Sequence, residues 1–293
     1  MIITKLMGGL GNQMFQYAFG KYLSSKHHSV LKIDTHLLLD RTPHKKFFVF
    51  RDYDLDIFNL KVEKATFQEV NNFTKRVALR IPDKVFNKLI GVKSSYIIEP
   101  HFHFSENCFA AADNSYLEGY WQTEKYFRPI SDNLRIDDFS FKEPVAPKSA
   151  ELARQIGNCN SVCVNVRRGD FVTTPFHGTC SPEYYKKGEA IIAAQINNPI
   201  FFVFSDEIDW CRENLSFDHP VTFVGHEYAG NKFQDYLRLM SACKHLIIPN
   251  SSFAWWAAWL NTYSQKIVIA PKAWFNDDTW NTKDILPTNW ISL

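Results

Sequence analysis

From residue 149 to residue 270 the chain alternates short apolar runs with stretches of helical periodicity, and that alternation restricts the fold more than any other feature. Helices are expected at 149–156, 182–196, 208–214, 233–243 and 252–260. Strands are expected between them, at 162–166, 200–204, 221–224, 245–248 and 266–270. Strands separated by helices have to cross over, so they pair in parallel with helices on the sheet faces. Runs such as Phe201-Phe202-Val203-Phe204 are apolar throughout, as strands buried on both faces are. Open parallel sheets bind ligands beyond the C-terminal ends of their strands, where the strand order reverses. The residues that follow each strand are therefore the ones to read.

The first half opens the same way, with a strand at 2–7, a glycine turn, a helix at 13–25 and a strand at 30–34. The stretch 40–115 is irregular, with helical pieces near 66–72 and 75–90, and 116–120 reads as another strand. Asp137, Asp138, Pro144 and Pro147 break the stretch 134–147, which reads as a connection. A length of 293 residues fits two domains. They are expected at 1–145 and 146–293, with the last residues returning to the first. Each is an α/β, Rossmann-like domain.

Four strand ends carry candidate chemistry. After the run Ser161–Val164 stands Asn165-Val166-Arg167-Arg168-Gly169-Asp170. Alternation places Asn165 and Arg167 on one face and Val166 and Arg168 on the other. One arginine is expected to face a ligand beside Asn165, and the other to pair with a carboxylate such as Asp170. The competing reading is a solvated turn with a surface ion pair. After the first strand stands Gly8-Gly9-Leu10-Gly11-Asn12-Gln13. It is not the dinucleotide fingerprint, whose third glycine falls on Met14, and no Lys-Ser/Thr follows as in a Walker loop. Gly9 and Gly11 permit close backbone approach of a ligand, and Asn12 and Gln13 offer amides. The alternative is a tight strand-to-helix turn with an asparagine cap.

Pro249-Asn250-Ser251-Ser252-Phe253 leads into an apolar helix, whose free N–H groups and dipole suit a phosphate. Capping by Ser251 explains one serine but not the pair. At Phe204-Ser205-Asp206-Glu207, Asp206 either accepts hydrogen bonds from a base or ribose, or caps the next helix.

Several function classes fall away. A net charge of +2 does not suggest nucleic acid. Six cysteines without a C-x-x-C pair suggest thiols in a reducing cytoplasm. The N-terminal apolar run is cut by glycines before a secretory core forms, and no run of about 18 apolar residues is present. Lys75, Arg76, Arg80, Lys84 and Lys88 alternate with apolar residues. That stretch is either a solvated face or a patch for peripheral contact with the inner face of a membrane or with an anionic acceptor. Asp52, Asp54 and Asp56 read as the solvent face of an edge strand rather than as a cation site, and no metal or cofactor is expected.

The segments Gly8–Ala18, Val166–Asp170, Phe204–Cys211 and Asn250–Leu260, in this order, resemble the α-1,2-fucosyltransferases of glycosyltransferase family 11. The resemblance implies a GT-B fold, two Rossmann-like domains facing a central cleft. It implies GDP-fucose held mainly by the C-terminal domain and a galactose-containing acceptor glycan largely by the N-terminal one. It implies metal-independent transfer, with inversion, to the 2-hydroxyl of a galactoside. Arg167 then lies on the diphosphate, Ser251, Ser252 and Phe253 hold GDP, and Asn12 lies in the turn that faces the sugar. Gly9, Gly11, Gln13, Asn165 and Asp206 complete the expected donor set. Another GDP-linked sugar, another acceptor hydroxyl, or nucleotide-sugar binding without catalysis are the alternatives. One departure stands out. The family usually has histidine where this chain has Asn165, and an amide does not titrate near neutral pH.

Overall fold

The computed structural model describes residues 1–42, 49–78 and 95–293. The chain divides into two compact units, Met1–Lys142 with Lys283–Ile285, and Glu143–Thr282 with Leu286–Leu293.

The first unit is built on five parallel strands: β1 Ile2–Lys5, β2 Leu31–Asp34, β3 Glu63–Lys64, β4 Ser95–Ile98 and β5 Ser115–Glu118. Their order is β3-β2-β1-β5-β4, so the order reverses between β1 and β5. Helix α1, Leu10–His27, follows β1, and α2, Phe67–Ala78, follows β3. The core is rich in aromatic rings. Phe19 lies 4.7 Å from Trp121 and 4.8 Å from Tyr126, between ring centroids.

The second unit carries six strands: β6 Asn160–Val166, β7 Pro199–Ser205, β8 Val221–Phe223, β9 His245–Ile247, β10 Val268–Ala270 and β11 Ile291–Ser292. The order is β11-β10-β9-β6-β7-β8, all parallel. Its longer helices are α3 Pro147–Gly157, α4 Pro182–Ala193, α5 Ile208–Asn214, α6 Gln234–Ala242 and α7 Ser252–Leu260, with a five-residue helical turn at Gly169–Thr173. Val162, Val164 and Val166 pack with Tyr185 and Ile192 of α4 and Cys211 of α5. Asn165 lies on the opposite face, against Met240 of α6. Trp255, Trp256 and Trp259 of α7 are all buried.

The structure differs from the sequence reading in several places. The helix after β1 starts at Leu10, so Gly11, Asn12 and Gln13 form its first turn. Pro147 is not a breaker but opens α3, where its missing N–H costs nothing. Ser181 occupies the cap position of α4 without a side-chain cap bond. Residues 55–57 form a 3-10 turn rather than an edge strand, and Asp52 pairs with Arg41 at 2.5 Å. Residues 283–285, rather than the chain's last residues, cluster with the first unit, while β11 extends the second sheet. In the basic stretch at 75–88, Arg80, Lys84 and Lys88 lie outside the described residues. Among those described, no helix is long and apolar enough to cross a membrane.

Gln16 joins the strand ends of the first unit. It is fully buried; its Oε1 accepts from Met7 N at 2.9 Å and its Nε2 donates to the Gly119 carbonyl at 3.2 Å. Gln16→Leu removes both bonds and leaves the half-buried Met7 N–H and the buried Gly119 carbonyl without this partner. The expected cost is about 2–6 kcal/mol, at about 1–3 kcal/mol for each orphaned group. Urea denaturation measures it, and an unchanged midpoint would contradict this role.

Candidate donor site at the strand ends of the second unit

In the second unit β6 is flanked by β9 and β7, and the chain leaves it in both directions. The strand order therefore reverses between β6 and β9, where the turns after two strands diverge and leave a crevice. Val164 stands opposite Ile247, and Val166 opposite Ser205. Parallel register thus brings Arg167, Asp206 and the 248–252 turn to one edge.

The arginines are not bare cations. Arg167 donates from Nη1 to Asp206 and from Nη2 to Asp170, and its guanidinium lies 5.0 Å from the centre of the Phe171 ring. Arg168 donates from Nε to Glu207 at 2.9 Å and lies 3.6 Å above the Trp210 ring. The expected division, one arginine for the ligand and the other for Asp170, is corrected: Arg167 holds Asp170, and Arg168 is fixed by Glu207 and Trp210.

Asp206 does not cap the next helix. Its Oδ2 accepts from Arg167 and its Oδ1 from the Arg168 backbone N–H at 3.0 Å. The turn is closed by Ser205, whose hydroxyl accepts from Glu207 N at 2.9 Å. Asp206 thus fixes the direction of the Arg167 fork. The missing side chain at Gly169 keeps that contact open, since a Cβ there would stand 2.6 Å from Asp206 Oδ2.

Asn165 is almost wholly buried at 7% exposure. Its Nδ2 donates to the Phe204 carbonyl at 3.1 Å and lies 3.8 Å from Met240 Sδ. The amide nitrogen expected to meet a nucleotide is therefore spent on joining β6 to β7.

The start of α7 is held from below. Tyr184 donates its hydroxyl to the Ile248 carbonyl at 2.6 Å, and burial holds the phenol well above its ordinary pKa, so it stays a donor. Asn250 donates from Nδ2 to the His177 and Trp274 carbonyls at 2.8 and 3.0 Å. Ser251 occupies the cap position without a side-chain cap bond. Ordinary capping therefore does not account for it; Ser252 and Phe253 are the first two residues of the helix and are partly exposed, and the N–H groups of a first turn have no partner within the helix.

The turn after β1 in the first unit is a separate edge. Gly8 adopts φ 76°, and a Cβ there would collide with Asn12 Nδ2 at 2.3 Å. Gly9 caps α1 with no heavy atom within 4 Å of a Cβ position, so the protein's own packing does not require glycine there. Gly11 is buried in the first turn of the helix. Gln13 is fully buried; its Nε2 donates to the Gly8 and Asp52 carbonyls at 3.0 and 2.8 Å, and its Oε1 accepts from Asp54 N at 3.0 Å. Its expected place on a ligand is corrected: it ties the turn to the 52–54 loop. Asn12 is partly exposed and accepts from Gln122 Nε2 at 2.7 Å. Gln122, Trp210 and Asn250 are positioning residues that sequence reasoning missed. Nothing local to them signals their partners, which are 110 residues away for Gln122.

Comparison with known proteins places this geometry. Escherichia coli alpha-1,2-colitosyltransferase is 32% identical over all of this chain and 99% of its own length. The rat galactoside alpha-(1,2)-fucosyltransferase 2 is 34% identical over 48% of this chain and 41% of its own. A mutant of Arabidopsis thaliana FUT1 solved with GDP shares the fold, with a TM-score of 0.51 at 12% identity, over 98% of this chain and 74% of that one. Two parallel sheets, each flanked by helices, are the GT-B-like arrangement of such enzymes. The family model described as "Glycosyl transferase family 11" matches residues 1–293, and the chain belongs to that family.

Proposed function

We propose that the protein transfers L-fucose from GDP-fucose to the 2-hydroxyl of a terminal galactoside, with inversion and without a metal. One observation carries this reading: Arg167 and the start of α7 flank the point where the second sheet reverses its strand order. A diphosphate there meets an arginine fork on one side and helix N–H groups on the other. The edge as it stands holds Arg167 and Arg168 against Asp170, Asp206 and Glu207. Its side chains alone sum to one negative charge, so the diphosphate has to displace a carboxylate from Arg167. Asp170 sits on a five-residue helical turn and is the one to yield; Asp206 is fixed by the Arg168 backbone and stays. Arg167 then offsets the charge that develops on departing GDP. Asn12, on the first unit, is assigned to the sugar, and the acceptor to that unit's strand ends.

The α-1,2 linkage in the names of two relatives supports the 2-hydroxyl. The colitose transferase also favours a second reading, the same linkage with a colitosyl donor. GDP release from GDP-fucose and from GDP-colitose, against a panel of galactosides with linkage analysis of the product, separates the two. Tight GDP binding with no turnover of either donor would leave only a nucleotide-sugar-binding module.

Two further outcomes are expected. Arg167→Ala lowers turnover by a hundredfold or more, on the order of 3 kcal/mol for a preorganised charge at a leaving group. Arg168→Ala acts mainly on the fold, through the lost Glu207 pair and Trp210 stack, so it lowers the melting temperature while turnover of the folded variant stays closer to wild type than that of Arg167→Ala. Turnover of folded Arg167→Ala within a few-fold of wild type would defeat the assignment. Initial rates are also expected to survive exhaustive chelation, because arginine and helix dipole supply the positive potential. Activity lost to chelator and restored by magnesium or manganese would show that a cation is needed.

A further inference from the structure

Beyond β8, in the second unit, the chain holds Phe233 in a left-handed conformation, φ 58° and ψ 18°. A bulky side chain is strained there and stays only where its surroundings over-determine it. Its neighbours in the chain do so. Asp235 N and Tyr236 N donate to the Ala229 carbonyl at 3.0 and 3.4 Å, and Lys232 N donates to Gln234 Oε1 at 2.8 Å. Gly230 turns at φ 74°, where a Cβ would stand 2.7 Å from Gln234 Nε2. Buried Asp235 pins the start of α6, accepting from Ala146 N at 3.2 Å and from Arg238 Nη1 at 3.0 Å. Burial does not offset the strain, because Phe233 is 43% exposed. Among the described residues it is the one large apolar side chain that is both exposed and left-handed.

The ring stands beside the donor edge. Its centroid lies 6.2 Å from that of His226 and 5.8 Å from that of Tyr236, with interplanar angles of 79° and 67°, so neither ring lies flat against it. His226 donates from Nε2 to the Ser205 carbonyl at 2.9 Å, and Ser205 is the residue before Asp206. Tyr236 meets the Phe204 ring edge-on at 5.3 Å and donates its hydroxyl to the Val224 carbonyl at 2.8 Å. Phe204 in turn takes the Asn165 amide on its carbonyl. Two short chains of contacts thus tie Phe233 to the ends of β6 and β7.

A nucleotide sugar whose diphosphate lies between Arg167 and the start of α7 extends away from the phosphates at both ends. α7 follows β9, on one side of β6, and β7 and β8 lie on the other. Adjacent strands are about 4.8 Å apart, so the end of β8 lies about 10 Å from that of β6. A ribose and a purine together cover that distance. An exposed ring with no flat partner among its two neighbours is a surface on which a planar base stacks.

We propose that Phe233 is the platform on which the nucleobase of the donor stacks, an inference that rests on the GDP-sugar reading above. The strained loop holds the ring out for the base rather than for the core. Stacking adds affinity and places the base, and it does not itself select guanine, because every base has a π-face. The contact is the same before and during transfer, so its loss raises KM and leaves kcat.

The test uses the full chain and reads GDP affinity by calorimetry, melting temperature, and kcat and KM for whichever of GDP-fucose and GDP-colitose turns over. Phe233→Leu keeps an apolar side chain and removes the ring. It is expected to weaken GDP binding about tenfold, to raise KM about as much and to leave kcat within about twofold. Phe233→Tyr and Phe233→Trp keep a ring and are expected to bind GDP within about threefold of wild type. A side chain that only shapes the loop would not sort these variants by aromaticity. A folded Phe233→Leu that binds GDP as wild type does, or a folded Phe233→Tyr that loses as much affinity as Phe233→Leu, would overturn the proposal and leave the transfer reading standing. A wild type that binds no GDP overturns both. If Phe233→Leu does not fold, Phe233→Gly decides, since glycine enters the left-handed region freely and removes the ring without adding strain. It is expected to weaken GDP binding at least as much, and wild-type affinity in it overturns the proposal.

Discussion

Parallel pairing of β6 on both edges is the constraint from which the donor edge follows. Its seven residues form ladders with β7 and β9 and are buried from Ser161 to Val166. A strand so placed cannot slip in register without turning its apolar side chains to the wrong face. The end of β6 is therefore fixed, and so is the point where Arg167 leaves the sheet. Because β7 and β9 continue the chain on opposite sides, the turns after them separate. The start of α7 and the Asp206 turn come to either side of Arg167 without any contact designed for that purpose.

The electrostatics of this edge are those of arginines already paired with carboxylates. Arginine paired with two carboxylates is well oriented but has little net field. Orientation is costly in entropy for a long side chain, and a preorganised fork loses less when a ligand arrives. Asp206 supplies that orientation through two bonds from one segment, Arg167 Nη1 and the Arg168 N–H. Asp170, three residues away, takes the other nitrogen of the fork, and is the carboxylate that a diphosphate displaces in the function proposed above.

Much of this was legible in the sequence. The periods of 149–270 give the strand and helix order of the second unit, and α5 and α7 begin and end where the patterns place them. Strand ends follow from the apolar runs, so Arg167, Asp206 and Ser251 could be named as one group. Their partners could not. Alternation sends Arg167 and Arg168 to opposite faces only while the strand continues, and it stops at Val166. Beyond it the chain turns, and Asp206 from the next strand reaches both residues. Gln13 misled for a related reason: an amide beside glycines fits a ligand contact and a buried tie equally well, and the choice rests on Asp52 and Asp54 about 40 residues on. The first unit was less legible because β3 has two residues and β4 lies in an irregular stretch.

Two carboxylates at strand ends show how environment divides roles among like groups. Asp206 accepts from Arg167 Nη1 and from the Arg168 backbone N–H, so it serves as an anchor. Glu99 receives two N–H bonds but no cation among the described residues, and desolvation outweighs those bonds. Burial raises the pKa of Glu99 to about 7, while Asp206 is tied to Arg167 and to the backbone beside it. The amide at Asn165 adds weight to that division. With its nitrogen on the Phe204 carbonyl and no titrating group at that position, the donor edge has no side chain there to exchange a proton near neutral pH.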